Sequence, residues 1–223
     1  HDLMDILGRE AMVEWFHLAR EADPRATLYI NDFQIIAGGG TNKAKQDFYY
    51  DTIKYLIDSG APIGGIGLQC HFGSAPTPPE RALAILDRFA ALGLDLKITE
   101  FDVQTPNEQY AADFTRDLLT VAFSHPAVKG FYMWGFTDKR HWKRAAPIYD
   151  ENYNLKPSGK EWKKLVFEDW WTNAEGETDA EGEFALRGFL GDYEIEAAKG
   201  GRAAKIQAPL PGEGAEIRIA LGE

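Results

Sequence analysis

With a single cysteine among 223 residues, Cys70, the chain has no route to an internal disulfide. Gln69 and His71 bracket Cys70 in an apolar run, so its thiol reads as buried and inert rather than nucleophilic. Positive charge is scarce. The chain has 24 Lys and Arg against 35 Asp and Glu, and a net charge of −11 excludes a nucleic-acid partner, because phosphate binding needs a basic surface. No apolar run is long enough to span a membrane. Residues 1–22 carry neither a charged-then-apolar leader nor a small-residue cleavage site. His71 is the only histidine near the end of a strand-like segment, whereas a metal hydrolase wants several His and carboxylate ligands together. Neither a metal nor another cofactor is expected.

Aromatic residues, by contrast, make up 13% of the chain and include six Trp, which suits a surface that stacks on flat ligands as well as a packed core. Apolar periodicity supplies the frame. Leu7, Ala11, Trp15, Leu18 and Ala22 recur at helical spacing until Asp23-Pro24. Residues 26–32 predict a strand, and 42–59 a helix with Tyr49, Ile53 and Leu56 on one face. Residues 64–72 predict a second strand. Thr77-Pro78-Pro79-Glu80 has capping-box spacing with proline at the first helical position, ahead of a helix burying Ala82, Ile85 and Phe89. Residues 94–103 predict a strand, and 107–123 a helix carrying Tyr110, Phe114, Leu118 and Val121. A fourth strand over 128–136 and a closing helix over 157–167 complete the series. Strands alternating with helices imply an α/β fold with a parallel sheet covered by helices.

The third of these strands ends on two acids, in Lys97-Ile98-Thr99-Glu100-Phe101-Asp102-Val103. Side chains alternate along a strand, so Glu100 and Asp102 point the same way. An ionised group removed from water is costly unless paired, so the two are either solvated acids at a strand exit or part of a catalytic pocket. Neighbouring segments favour the pocket. Asn31 and Asp32, Gln69 and His71, Glu100 and Asp102, and Trp134 all lie near the C-terminal end of a predicted strand. In a parallel barrel those ends share one rim, where active sites are built.

Four segments in order, Leu28-Tyr29-Ile30-Asn31-Asp32, Gly65-Ile66-Gly67-Leu68-Gln69-Cys70-His71, Ile98-Thr99-Glu100-Phe101-Asp102-Val103 and Trp134-Gly135-Phe136-Thr137-Asp138-Lys139, resemble the family 10 glycoside hydrolases, the retaining endo-β-1,4-xylanases. The resemblance covers residues 1–167. It implies the second half of a (β/α)8 TIM barrel, four βα units after an N-terminal helix. It also implies xylan and xylo-oligosaccharides as partners, a monomer once the barrel is complete, and a secreted protein. By resemblance Glu100 is the nucleophile of a double displacement, His71 hydrogen-bonds it and Asp102 orients the imidazole. Asn31, Gln69, Trp134 and Trp142 match sugar-binding positions, Asn31 near the subsite of the leaving sugar. The family's acid/base glutamate sits in an Asn-Glu-Pro motif that does not occur here; Pro106-Asn107-Glu108 has another order and reads as a helix start. The expectation is therefore a chain that carries the nucleophile without the acid/base and is inactive alone. The alternative is a non-catalytic carbohydrate-binding protein. Phe33 and Gln34 stand where the family often has tyrosine and asparagine, which removes a phenol but keeps a stacking face. Arg140-His141 has no role assigned by the resemblance.

Residues 168–223 change character. Turn signals at Asp179–Gly182, Leu190–Asp192, Lys199–Gly201 and Pro211–Gly214 separate four alternating runs, 184–189, 193–197, 205–207 and 216–220. They predict a small antiparallel β module, short for independent folding and therefore packed on the barrel. Trp170 and Trp171 read as either its seam or a sugar platform.

Overall fold

The computed structural model describes residues 2–222. Helix α1 (Asp2–Leu7) and helix α2 (Glu10–Ala22) precede an alternating series: β1 (Tyr29–Asp32), α3 (Lys43–Asp58), β2 (Gly65–Leu68), β3 (His71–Phe72), α4 (Pro79–Ala90), β4 (Asp95–Val103), α5 (Glu108–Ser124), β5 (Val128–Met133) and α6 (Pro157–Lys164). The strands form one all-parallel sheet in which β1 pairs β2, β2 and β3 both pair β4, and β5 pairs the other edge of β4. This is part of a (β/α) barrel, as expected. The chain divides into two compact units, His1–Trp162 and Lys163–Glu223.

One face of the sheet makes the core. Ile66, Leu68, Leu96 and Ile98 pack against Tyr49 and Ile53 of α3, Leu86 and Phe89 of α4, and Phe114 and Leu118 of α5. The Tyr49 hydroxyl reaches into the sheet, 3.0 Å from the Ile30 carbonyl and 2.9 Å from that of Gly67, and so ties α3 to β1 and β2 together. The opposite face is the inner face of the barrel wall, where large side chains need small neighbours. Gly65 and Gly67 provide them. A Cβ on Gly65 would fall 2.0 Å from the Tyr29 ring, and one on Gly67 would fall 2.6 Å from the Asn31 amide oxygen. The Gly-Ile-Gly of β2 thus lets Tyr29 and Asn31 lie across the wall.

Several predicted elements differ in detail. The strand expected over 64–72 is interrupted: Cys70 has φ 67, a left-handed conformation that breaks the ladder and separates β2 from β3. The expected first helix is two helices, split at Gly8 (φ 78). Trp15 and Leu18 on α2 stay 39% and 55% exposed, so the apolar stripe read there is not core. Thr77 does not cap α4. Its hydroxyl donates to the Ile36 carbonyl, while Pro79 opens the helix as expected. Asn107 does cap α5, accepting from the Tyr110 N–H at 3.0 Å. The closing helix is α-helical to Lys164 and widens into a π turn over Leu165–Asp169.

Among the described residues of the second unit only two strands form, β6 (Gly191–Lys199) and β7 (Arg202–Leu210), paired antiparallel across the two-residue turn Gly200-Gly201. Both glycines have positive φ (59 and 83), the twist a two-residue hairpin loop demands. The runs 184–189 and 216–220, read as strands, are not.

Candidate active site

Strand β4 is bulged where it carries the acids. Its pairing with the β2–β3 edge runs Leu68↔Ile98 but His71↔Asp102, one extra residue on β4. Its pairing with β5 shifts between Ile98 and Phe101 as well. The consequence is a change of parity. Leu96, Ile98, Phe101 and Val103 all enter the core, although 98 and 101 would lie on opposite faces of a regular strand. The extra residue rotates Glu100 and Asp102 away from the core and toward the rim, a recurrent use of β-bulges beside functional sites.

Five polar side chains converge there: Asn31, His71, Thr99, Glu100 and Asp102. The Asn31 amide Nδ2 donates to Glu100 Oε1 at 2.9 Å, and the Thr99 hydroxyl donates to Asn31 Oδ1 at 2.9 Å. Thr99 thereby fixes which end of the amide faces Glu100. On the other side His71 Nε2 lies 3.3 Å from Glu100 Oε2, while its Nδ1 lies 2.8 Å from Asp102 Oδ2. The imidazole bridges the two carboxylates. Their burial separates their tasks: the Glu100 side chain is 16% exposed and can meet a ligand, the Asp102 side chain only 1%. Asp102 is also bonded by Trp142 Nε1 at 3.2 Å and Lys143 Nζ at 3.4 Å. A buried carboxylate so surrounded is compensated and serves to hold other groups.

Around these groups lies an open depression of about 330 Å³ lined by Phe33, Gln34, Gln69, His71, Trp142 and Lys143. Two rings stand edge-on to His71: Trp134 at 6.1 Å between centroids and Trp142 at 5.1 Å. Both are exposed, at 47% and 62%, and the Lys143 ammonium lies 4.5 Å from the centre of the Trp142 ring. Trp134 lies one residue beyond β5, held by its N–H donating to the Phe101 carbonyl at 3.0 Å. Gln34 and Cys70, both next to the depression, have positive φ, 58 and 67. Burial, with the Asp102 charge as a lesser cause, pushes the Cys70 thiol far up, away from nucleophilic use.

A sequence profile described as Glycosyl hydrolase family 10 matches residues 2–164. The chain belongs to this family. Among similar proteins, endo-1,4-beta-xylanase B of Thermotoga neapolitana is 37% identical over 165 residues, 68% of this chain and 46% of that protein. Endo-1,4-beta-xylanase 1 of Arabidopsis thaliana is 35% identical over 192 residues, 86% of this chain and 20% of that protein. The anti-sigma-I factor RsgI6 of Acetivibrio thermocellus is 37% identical over 192 residues, 85% of this chain and 24% of that one. The solved xylanase 10B from Thermotoga petrophila RKU-1, in complex with xylobiose, superposes with a TM-score of 0.67 at 34% identity, covering 75% of this chain and 54% of that one. The chain thus spans about half the length, or less, of the relatives it matches.

All seven residues singled out in the sequence lie in one region of this family 10 fold. Glu100, His71 and Asp102 form one bonded set, and Trp142 joins it through Asp102. Asn31, expected at the leaving-sugar subsite, is bonded to Glu100 itself. Thr99, His141 and Lys143 were not read from the sequence. Thr99 sits within the acid strand and was open to that reading; the other two lie in an irregular loop without periodicity.

Proposed function

We propose that residues 1–164 form the nucleophile half of the catalytic domain of a retaining endo-β-1,4-xylanase. The observation that carries this reading is Glu100 held between Asn31 Nδ2 at 2.9 Å and His71 Nε2 at 3.3 Å, beside two exposed tryptophans. Contacts on both oxygens hold an otherwise accessible carboxylate in one orientation, which nucleophilic attack requires.

In the first step a Glu100 oxygen bonds to the anomeric carbon, the glycosidic C–O bond breaks and the leaving oxygen takes a proton from a general acid. In the second, water attacks that carbon, gives its proton to the same acid group and releases Glu100. Two inversions leave the configuration retained, and the two carboxyl groups stand about 5–5.5 Å apart in such enzymes. Asp102, bonded by His71, Trp142 and Lys143, is committed to positioning and is not the general acid. By family resemblance that group is the glutamate of an Asn-Glu-Pro motif, which residues 1–223 do not contain. By family resemblance the substrates are xylan and xylo-oligosaccharides, the complete barrel is a monomer and the enzyme acts outside the cell.

The test is turnover of xylan and of an aryl xylobioside by the complete enzyme and by its Glu100→Ala variant. The wild type hydrolyses both with the β-anomer formed first. Glu100→Ala is inactive, and added azide restores release of the aryl group with α-xylobiosyl azide as product. Near-normal turnover by Glu100→Ala sinks the assignment. A second reading, a carbohydrate-binding domain without turnover, draws on one observation: the 37% identical relative RsgI6 is named for anti-sigma activity. It predicts xylo-oligosaccharide binding by the complete protein with no hydrolysis.

A further inference from the structure

We propose that His141 is a positioning residue that clamps Trp134 and Trp142, the two rings beside His71. The segment that carries Trp142 has little regular structure, with only a short 3₁₀ turn over Asp138–Arg140 ahead of it. Backbone ladders therefore do not fix this ring. His141 does so from inside: its side chain is 3% exposed although the loop around it is open. Its Nε2 donates to the Trp134 carbonyl at 2.6 Å. Its Nδ1 lies 3.0 Å from the Lys143 N–H and 2.7 Å from the Lys143 carbonyl. A neutral ring accepts from that N–H and a charged ring donates to that carbonyl, so the contact persists in either form.

The backbone on both sides of the site is thus joined through one imidazole. Trp134 leaves the end of β5, Trp142 follows His141 directly, and Trp142 Nε1 then reaches Asp102 at 3.2 Å. The space for the imidazole is built in. Gly135 has φ 70, and a Cβ there would lie 2.8 Å from His141 Cδ2. A residue other than glycine at 135 would drive the ring out. The Trp-Gly pair and the histidine six residues later are therefore one device.

Indole N–H signals of the 223-residue chain, recorded by ¹H–¹⁵N NMR with Trp15 and Trp162 as internal references, test this without any sugar. His141→Phe keeps a ring and loses both bonds. The expected result is that the Trp134 and Trp142 signals move or broaden, the two references stay, and the melting temperature holds. His141→Gln, whose amide can donate to one partner and accept from the other, returns both signals toward their original positions. Unmoved Trp134 and Trp142 signals in folded His141→Phe overturn the clamp. So does collective movement of all the indole signals with a lowered melting temperature, and so does loss of folding in both His141→Phe and His141→Leu, since each assigns the ring to general packing. In the complete enzyme a xylobiose titration carries the consequence for binding, which rests on the xylanase reading. Binding weakens about tenfold in His141→Phe, the scale of leaving two side chains to be ordered by the ligand. Absence of xylobiose binding by the wild type counts against the xylanase reading alone, because the indole signals decide the clamp by themselves.

Discussion

At the scale of single residues, the reaction rests on what each polar side chain holds. His71 touches both carboxylates, so His71→Ala in the complete enzyme removes a partner from Glu100 and from Asp102 at once. We expect kcat/KM on an aryl xylobioside to fall about 10²–10³-fold, the scale of one positioned group at the site, with the melting temperature little changed. A wild-type rate returns His71 to a core role. Thr99→Val keeps shape and loses only the bond to Asn31 Oδ1. It frees the Asn31 amide to flip and should reproduce part of that loss, whereas Thr99→Ser should not. Cys70 supplies the contrary case: a 2% exposed thiol with its ionisation suppressed stays unlabelled by a thiol reagent at pH 8 and reacts fully once denatured. Most of these positions were legible because the acids, the histidine and the asparagine lie at strand ends, where alternation limits their direction. The rest were not. His141 and Lys143 act through a loop whose backbone follows no period, and nothing local marks which loop residue turns inward.

Among elements, the bulge in β4 is the feature that makes the site. The sequence holds its trace, since the apolar positions run 96, 98, 101 and 103 and skip from even to odd. Simple alternation through 97–103 leads to the right conclusion for Glu100 and Asp102 relative to each other, but not for their direction relative to Leu96 and Ile98. Deleting Thr99 would restore regular alternation with Phe101 and Val103 still facing the core, but would draw Glu100 and Asp102 back by one residue, about 3.3 Å, from Asn31 and His71, so we expect a folded product by circular dichroism and a complete enzyme without turnover of xylan. Thr77 shows the opposite kind of ambiguity. Its spacing to Glu80 is that of a helix cap, yet its hydroxyl is used on the Ile36 carbonyl, a contact 41 positions away that local pattern cannot reveal. Thr77→Val should therefore cost about 1–3 kcal/mol, the penalty for an unsatisfied buried acceptor, while Glu80→Ala is near neutral. Equal losses from the two in denaturant titrations would restore the capping box. In the second unit, four runs share strand-like alternation but only the two flanking Gly200-Gly201 are paired, because a two-residue turn brings its strands into register and longer connections do not.

On the scale of the whole molecule, every side chain of the site lies between Asn31 and Lys143, inside the first unit. Removing residues 170–223 from the complete enzyme should leave kcat/KM on short xylo-oligosaccharides unchanged, and a loss above about tenfold would place part of the site in the second unit. Chemistry needs a second carboxyl group across the barrel, so residues 1–223 alone are expected to release negligible reducing sugar from xylan. On the proposed reading, the covalent step is the part this chain owns. The direct measurement is to incubate the complete enzyme with a 2-deoxy-2-fluoro-xylobioside bearing a dinitrophenolate leaving group and to map the labelled peptide by mass spectrometry. One fluoroxylobiosyl group on Glu100, with one equivalent of dinitrophenolate released and activity lost in step, is the predicted result. Labelling of Asp102, Glu108 or any other acid in place of Glu100 would contradict the account.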